Sequence, residues 1–526
     1  MLSKLKEYVK KDWKFLVITI GFMLLTLVIV TLNCSPGSNV IDINRPFQNA
    51  YTDISYFLIF IFCGFCAFLI RNADSSNVKL EKLYLCIAIP VGIVMSLCMP
   101  LGRVPDEDFH VRKAMAISQG NFFSVADENG FAKEKINIKV DQLVNRNINS
   151  YIDYWNRIQI PETGEKVEME YNTMALYAPI CHTPQAIGIF IARLFGGGIV
   201  AQCCAARLVN FAVSLTLIYY AIKLLPFKKH LLMYILLLPV TVMVLPTMSA
   251  DALTISISSF YISYILYLRY DNNVEKLSKK DYIALTLSLI VVALCKIVYV
   301  PLCLLLVLIP KEKIGSLKKK SILVVSLMIV AIVLNLLWLV YCSRFLVEFN
   351  AGVNSKEQTL FILKHPIQYL IIFLRTVNFH FNTYYAGLSG DALGMFNVKA
   401  PEIFIYLTIV ISAMLFLTKK EDEKIKVDLP TKIVVAIVFL SIIALIYTSV
   451  YVQWTPYKST FIYGVQPRYF LPILILVALI LDNDMIELKV KIDRFLLTFL
   501  LFFNISVAAA TIYTYYFGIL IDGYIK

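Results

Sequence analysis

The chain has 526 residues, 59% of them hydrophobic and only 16% charged, with a mean hydropathy of +0.72. Soluble domains carry about 45–50% apolar and about 25% charged residues, so an ordinary soluble enzyme, a disordered chain and a nucleic-acid-binding domain are excluded. The net charge of +13 then reads as Lys and Arg gathered in loops on the cytoplasmic side of a membrane protein.

In chain order, Lys4, Lys6, Lys10, Lys11 and Lys14 precede a first apolar run at about 15–32, read as a retained anchor because no small-residue cleavage site follows it. Further runs of membrane-spanning length lie at about 54–70, 83–100, 201–225, 231–249, 252–268, 321–342, 402–418, 432–452 and 495–517. The stretch 281–310 supplies two short spans that meet near Lys296, and Tyr469–Leu481 a last short one. The expected fold is therefore an all-α polytopic membrane protein of about 13 transmembrane helices. Its organisation reads as a two-span addition over 1–82, a membrane core over 83–481 and a final span with a tail over 482–526. Residues 178–195 are apolar enough to cross, but are read as interfacial, because only then do the short basic loops share one side. On that reading, 28 of the 49 Lys and Arg residues lie inside, the N-terminus is cytoplasmic and the C-terminus extracytoplasmic. Two long segments, 101–200 and 343–401, fall outside and are expected to form interfacial helices. The 11 cysteines are scattered through apolar runs, and the Cys63-x-x-Cys66 pair has neither a second pair nor a nearby His, so no redox or zinc role is assigned.

Chemistry is concentrated at the outer ends of spans. Gly102-Arg103-Val104-Pro105-Asp106-Glu107-Asp108-Phe109-His110 places three carboxylates directly after a proline. On a helix His110 shares a face with Asp106 and Glu107. A carboxylate here could deprotonate a hydroxyl, a pair could hold a divalent cation, or the acids could simply complement a helix N-terminus. The second cluster is Gly464-Val465-Gln466-Pro467-Arg468-Tyr469-Phe470-Leu471-Pro472, where Arg468 could grip a phosphate and Tyr469 a sugar face, or both could anchor a helix end. Lys296 reads as a phosphate contact or a snorkelling anchor, and Asp251 as a turn or helix cap. Arg207 stands out as a charge inside a span. His380, in an aromatic-rich stretch, could line a sugar site or pack at the interface; His182 and His365, beside prolines, read as structural.

These residues carry a resemblance. Pro105-Asp106-Glu107, His110 and Gly120 resemble the P-D-E-x-x-H…G signature of a bacterial polytopic membrane family labelled domain of unknown function 2142. Tyr177-x-Pro179 through Pro184-Gln185-Ala186 is similar to its next block, and Gln466-x-Arg468-Tyr469-Phe470-Leu471-Pro472 to its late Q-G-R-Y-F-x-P motif, with Pro467 standing where the family has Gly. That family in turn is similar to the GT-C glycosyltransferases, multi-span enzymes with an acidic pair in the first large outer loop. The resemblance implies transfer of a sugar from a polyprenyl-phosphate donor to a cell-envelope glycan acceptor. It implies Asp106 or Glu107 as the catalytic carboxylate, with a divalent cation (Mg or Mn) as an optional partner of the pair. Arg468 and Lys296 would hold the donor phosphate; His110, His380, Gln466 and Tyr469 are further substrate contacts suggested by their own positions in these clusters. A glycolipid flippase and a surface-polysaccharide polymerase or ligase are the alternatives; a transporter would want polar groups near the bilayer midplane.

Overall fold

The computed structural model describes residues 79–144, 156–170, 172–345, 351–420, 425–483, 486–488, 493–512 and 514–515. The expected spans at 15–32 and 54–70, the Cys63–Cys66 pair and nearly all of the 1–82 addition lie outside them.

Long apolar runs without ladder partners satisfy their backbone as helices, and helices dominate. Five are long and apolar enough to cross a membrane: α1 (Leu80–Cys98), α4 (Ile199–Leu224), α5 (Ala250–Tyr270), α7 (Leu317–Cys342) and α10 (Leu429–Gln453). Between them come α2 (Glu107–Ser118), α3 (Thr183–Leu194), α6 (Lys279–Cys295), α8 (Ser355–Lys364) and α9 (Pro366–Leu388). α8 and α9 would count as a sixth span if taken together, but they meet at 108° across His365 and Pro366. Several expected spans take a different form from one long helix. The 231–249 run splits into Lys229–Leu236 and Pro239–Val244 at Pro239, which starts its own helix. The second half of 281–310 and the start of the 469–481 run wind as 3-10 helices, each with a proline inside, Pro301 and Pro472. The described residues therefore hold five to six candidate spans where the sequence led us to expect more.

α5 lies at the centre: 83% of its apolar window is buried, against 22% for α7 and 28% for α10, which face outward. It can sit there because Thr254, Ser256 and Ser259 return their hydroxyls to carbonyls four residues back, leaving small surfaces for neighbours. Helix starts follow local chemistry: Ser249 caps α5, and Ser278 and Asp281 form a capping box on α6.

Five of the basic loops gather at one end of the bundle. Lys228 donates to the Thr418 carbonyl, Arg269 pairs with Asp428 at 2.7 Å, Lys313 donates to the Asp271 carbonyl, Lys432 donates to the Asp482 carbonyl, and Lys419–Lys420 pairs with Glu487–Leu488. α5 runs from Ala250 at the other end to Tyr270 here, and its 21 residues span roughly 30 Å. The far end carries the 101–200 segment. That segment includes a two-stranded antiparallel sheet, β1 (Lys133–Asn137) with β2 (Lys166–Glu170), and α3. α3 has 12 residues, roughly 18 Å of helix against a hydrocarbon core of about 30 Å. It lies against α4 through Gly188, where a Cβ would come within 2.4 Å of the Ala205 carbonyl oxygen.

α9 crosses α10 instead of running beside it. Tyr369 bonds Thr448 at 2.7 Å and packs on Tyr451, Phe373 meets Tyr447, and Tyr384 also meets Tyr447. Tyr369 to Tyr384 spans roughly 22 Å of α9, while the partners occupy about one turn of α10.

Candidate functional site

At the end opposite the basic loops, four charged side chains from four parts of the chain converge. Arg468, from the 3-10 turn Pro467–Ile473, donates through Nη2 to Asp106 Oδ2 at 2.8 Å and through Nε to Asp251 Oδ2 at 2.6 Å. Lys296, at the junction of α6 with the 3-10 helix Ile297–Leu308, donates to the other Asp251 oxygen. Tyr469 sits between the cations, its ring 4.6 Å from Lys296 Nζ and 5.3 Å from the Arg468 guanidinium. Tyr299 fixes this turn by donating to the Tyr469 carbonyl at 2.7 Å. Two carboxylates balance two cations.

Asp106 is the most open of the four charges, with a side chain 38% exposed and one ion pair, whereas Asp251 is 8% exposed and held by both cations. Asp106 precedes α2 with φ of 66° and its side chain makes no cap bond to the helix. The carboxylate therefore does not serve α2; the left-handed backbone turns it toward Arg468 instead. Strained backbone of this kind concentrates at functional sites.

Glu107, beside it in sequence, is used differently. It is fully buried and its two oxygens accept from Arg207 Nε at 2.8 Å, Arg207 Nη2 at 2.6 Å, Gly102 N at 3.1 Å and Met248 N at 3.1 Å. Arg207 also donates to the Ser96, Met99 and Pro100 carbonyls at the end of α1. The pair thus ties α4 to the segment leading into Asp106 and to the segment leading into Asp251. Of the two acids expected as base or metal ligand, Glu107 has its oxygens taken by four donors, and Asp106 is the one left open. No group of three or more His, Cys, Asp or Glu that could hold a metal ion occurs among the described residues, and Asp106 spends its carboxylate on Arg468.

His110 is buried behind Asp106. Its Nδ1 lies 2.7 Å from His182 Nε2, and Tyr177 packs edge-on against both rings. Burial pushes the His110 pKa down to about 4, against the opposing pull of Asp106 and Asp251, and drives His182 down too. A bond between two imidazoles needs one acceptor nitrogen, so at least one ring is neutral, and burial favours the neutral form of each.

Of the residues expected from sequence, the fold thus brings together Asp106, Lys296, Arg468 and Tyr469, with His110 immediately behind. Gln466 is half-buried beside a cavity of about 30 Å³ whose wall includes Gly394, Phe396, Pro467 and Arg468. Pro467 is seated on Gly387 of α9, where a Cβ would come within 2.5 Å of the proline ring. His380 is not in the cluster; it packs on Tyr384, which in turn meets Phe470 of the Arg468 turn. Asp251, Arg207 and His182 matter more than their sequence settings suggested. The available signals were a charge inside a span for Arg207 and, for Asp251, an acid at the same end as the other polar clusters.

The model of a family described as predicted membrane protein (DUF2142) matches residues 89–477, well over half of the chain. No curated protein and no solved structure shows a significant match.

Proposed function

The chain belongs to that family of predicted membrane proteins, and from this premise we propose that it is an integral-membrane glycosyltransferase of GT-C type. It moves a sugar from a polyprenyl-phosphate donor to an extracytoplasmic cell-envelope glycan. The observation that carries the reading is the Asp106–Arg468–Asp251–Lys296 constellation at the end of the bundle away from the basic loops. With those loops cytoplasmic, the site faces the outer leaflet, the N-terminus is inside and the C-terminus outside. The short apolar helices join the long ones in a polytopic core of about thirteen spans.

In this mechanism Asp106 accepts the proton of an acceptor hydroxyl. The oxygen attacks the anomeric carbon from the face opposite the phosphate, the carbon–oxygen bond to phosphate breaks, and polyprenyl phosphate leaves with the electron pair. Arg468 exchanges Asp106 for a phosphate oxygen, Lys296 turns a second ammonium N–H to another, and together they stabilise the charge that develops there. Asp251 keeps the two cations at the right separation, and the Tyr469 ring supplies a sugar face. A divalent cation, Mg or Mn, is not needed in this scheme, because two fixed cations already stand where the leaving group forms. The transporter reading gains less support: Arg207, the charge inside a span, is engaged by Glu107 and three carbonyls.

The test is cell-surface glycan analysis of a deletion strain beside strains complemented with the native chain and with Asp106→Asn. Loss of one sugar in the deletion and the Asn strain, with restoration by the native chain, is the expected result. Full rescue by Asp106→Asn removes the base.

A further inference from the structure

A second cavity lies away from the charge cluster. It measures about 720 Å³ and is formed where α8 turns into α9 and meets the 457–460 loop that follows α10. Lys364, Arg375 and Lys458 line it, with His365 and a single acid, Glu357. None of the three cations has an ion pair with a described residue. The loop is held in place: the Lys458 amide donates to the buried Gln358 side chain at 3.1 Å, and the Tyr457 amide to the Gly352 carbonyl at 2.9 Å. Lys458 itself has φ of 60°, a conformation that a lysine adopts only under constraint. The apolar part of the wall is Leu360, Phe361, Ile371 and Ile372. Outside it, the α8–α9 surface presents Leu363 at 73% exposure and Ile367 at 75%, continued by Leu370 and Leu374.

Unpaired cations beside a continuous exposed apolar face, on a helix that crosses α10 near its outer-loop end, fit one kind of ligand. We propose that this cavity binds the phosphate head group of a membrane lipid, on Lys364, Arg375 and Lys458, with the acyl chains along Ile367, Leu370 and Leu374. It is a second anion site, independent of the transferase reading. Arg375 and Gly387, which abuts the Arg468 turn, are separated by roughly 18 Å of α9, so a lipid held here does not occupy the charge cluster but does brace the helix on which Pro467 rests.

The full-length protein in detergent is titrated with short-chain phosphatidylglycerol, phosphatidylcholine and inorganic phosphate, with native mass spectrometry as the readout. Each basic residue near an anionic lipid surface contributes about fivefold in affinity. Lys364→Gln/Arg375→Gln/Lys458→Gln should therefore weaken phosphatidylglycerol binding about a hundredfold with unchanged thermal stability, since all three side chains are exposed. Glu357→Gln should strengthen it severalfold, an outcome that no folding defect can mimic. Phosphatidylcholine, whose choline offsets the phosphate charge, should bind the native chain more weakly than phosphatidylglycerol; equal binding of the two overturns the preference for an anionic lipid. Equal phosphatidylglycerol binding by the triple variant and the native chain overturns the site. Inorganic phosphate binding as tightly as the lipid overturns the lipid assignment in favour of a soluble phosphate.

Discussion

Adjacent carboxylates with opposite duties give the sharpest test. Glu107→Gln keeps size and shape but removes the negative charge from a pair in which Arg207 is 2% exposed and the carboxylate fully buried. Breaking such a pair from one side leaves a buried charge uncompensated and costs about 3–5 kcal/mol. At about 2–4 °C per kcal/mol for domains of 150–250 residues, and less for a longer chain, the melting temperature in detergent should fall on the order of 5 °C or more. Asp106→Asn has the reverse profile. The side chain is 38% exposed with one ion pair, so stability should change by no more than about 1 kcal/mol, and Asn tolerates the left-handed backbone that Asp106 adopts. If Asp106 is the proposed base, sugar transfer should nevertheless fall about 10²–10⁴-fold. Thermal unfolding of both purified variants, beside transfer measured on normally expressed protein, decides the matter. A Glu107→Gln protein with native stability and lost transfer, or an Asp106→Asn protein that unfolds early, refutes the division of labour.

Arg468→Lys should keep the protein folded, since a lysine can still meet one of the two carboxylates, but it should weaken donor binding because no planar fork remains to span two oxygens; retained donor affinity in nanodiscs would make Arg468 a structural anchor. The depressed His110 pKa, about 4 against an unfolded value near 6.5, makes the neutral imidazole a stabilising form. Its contribution is complete above pH 6.5 and is lost as pH falls toward 4, on the order of 3 kcal/mol; thermal melts across that window should show a steeper decline for the native chain than for His110→Gln. Single cysteines at Asn129 and Lys318, in a chain without the native thiols, should divide by side: an impermeant maleimide should label the first and not the second in intact cells, and the reverse pattern would invert the topology.

The membrane class, the separation of basic loops from acidic and aromatic clusters, and the break between two short runs near Lys296 are all legible in the sequence. They depend on local quantities: hydropathy over a helix length, the sign of charge in a short loop, a proline at a helix start. The sequence also supplied Asp106, Arg468 and Tyr469, because each sits at the end of an apolar run where a polar group needs a reason. What it could not distinguish is which of two adjacent carboxylates is open. Asp106 and Glu107 have the same chemistry and the same neighbours in sequence, and only the position of Arg207, one hundred residues on, buries one and frees the other. Asp251 read as a cap for the same reason: its partners, Lys296 and Arg468, lie 45 and 217 residues away. The 343–401 segment shows the same limit, since its composition permits α9 to cross the membrane, and the contacts of α9 along one turn of α10 are what lay it across the bundle. Charge pairing and helix crossing are set by long-range packing, which no window of local sequence encodes.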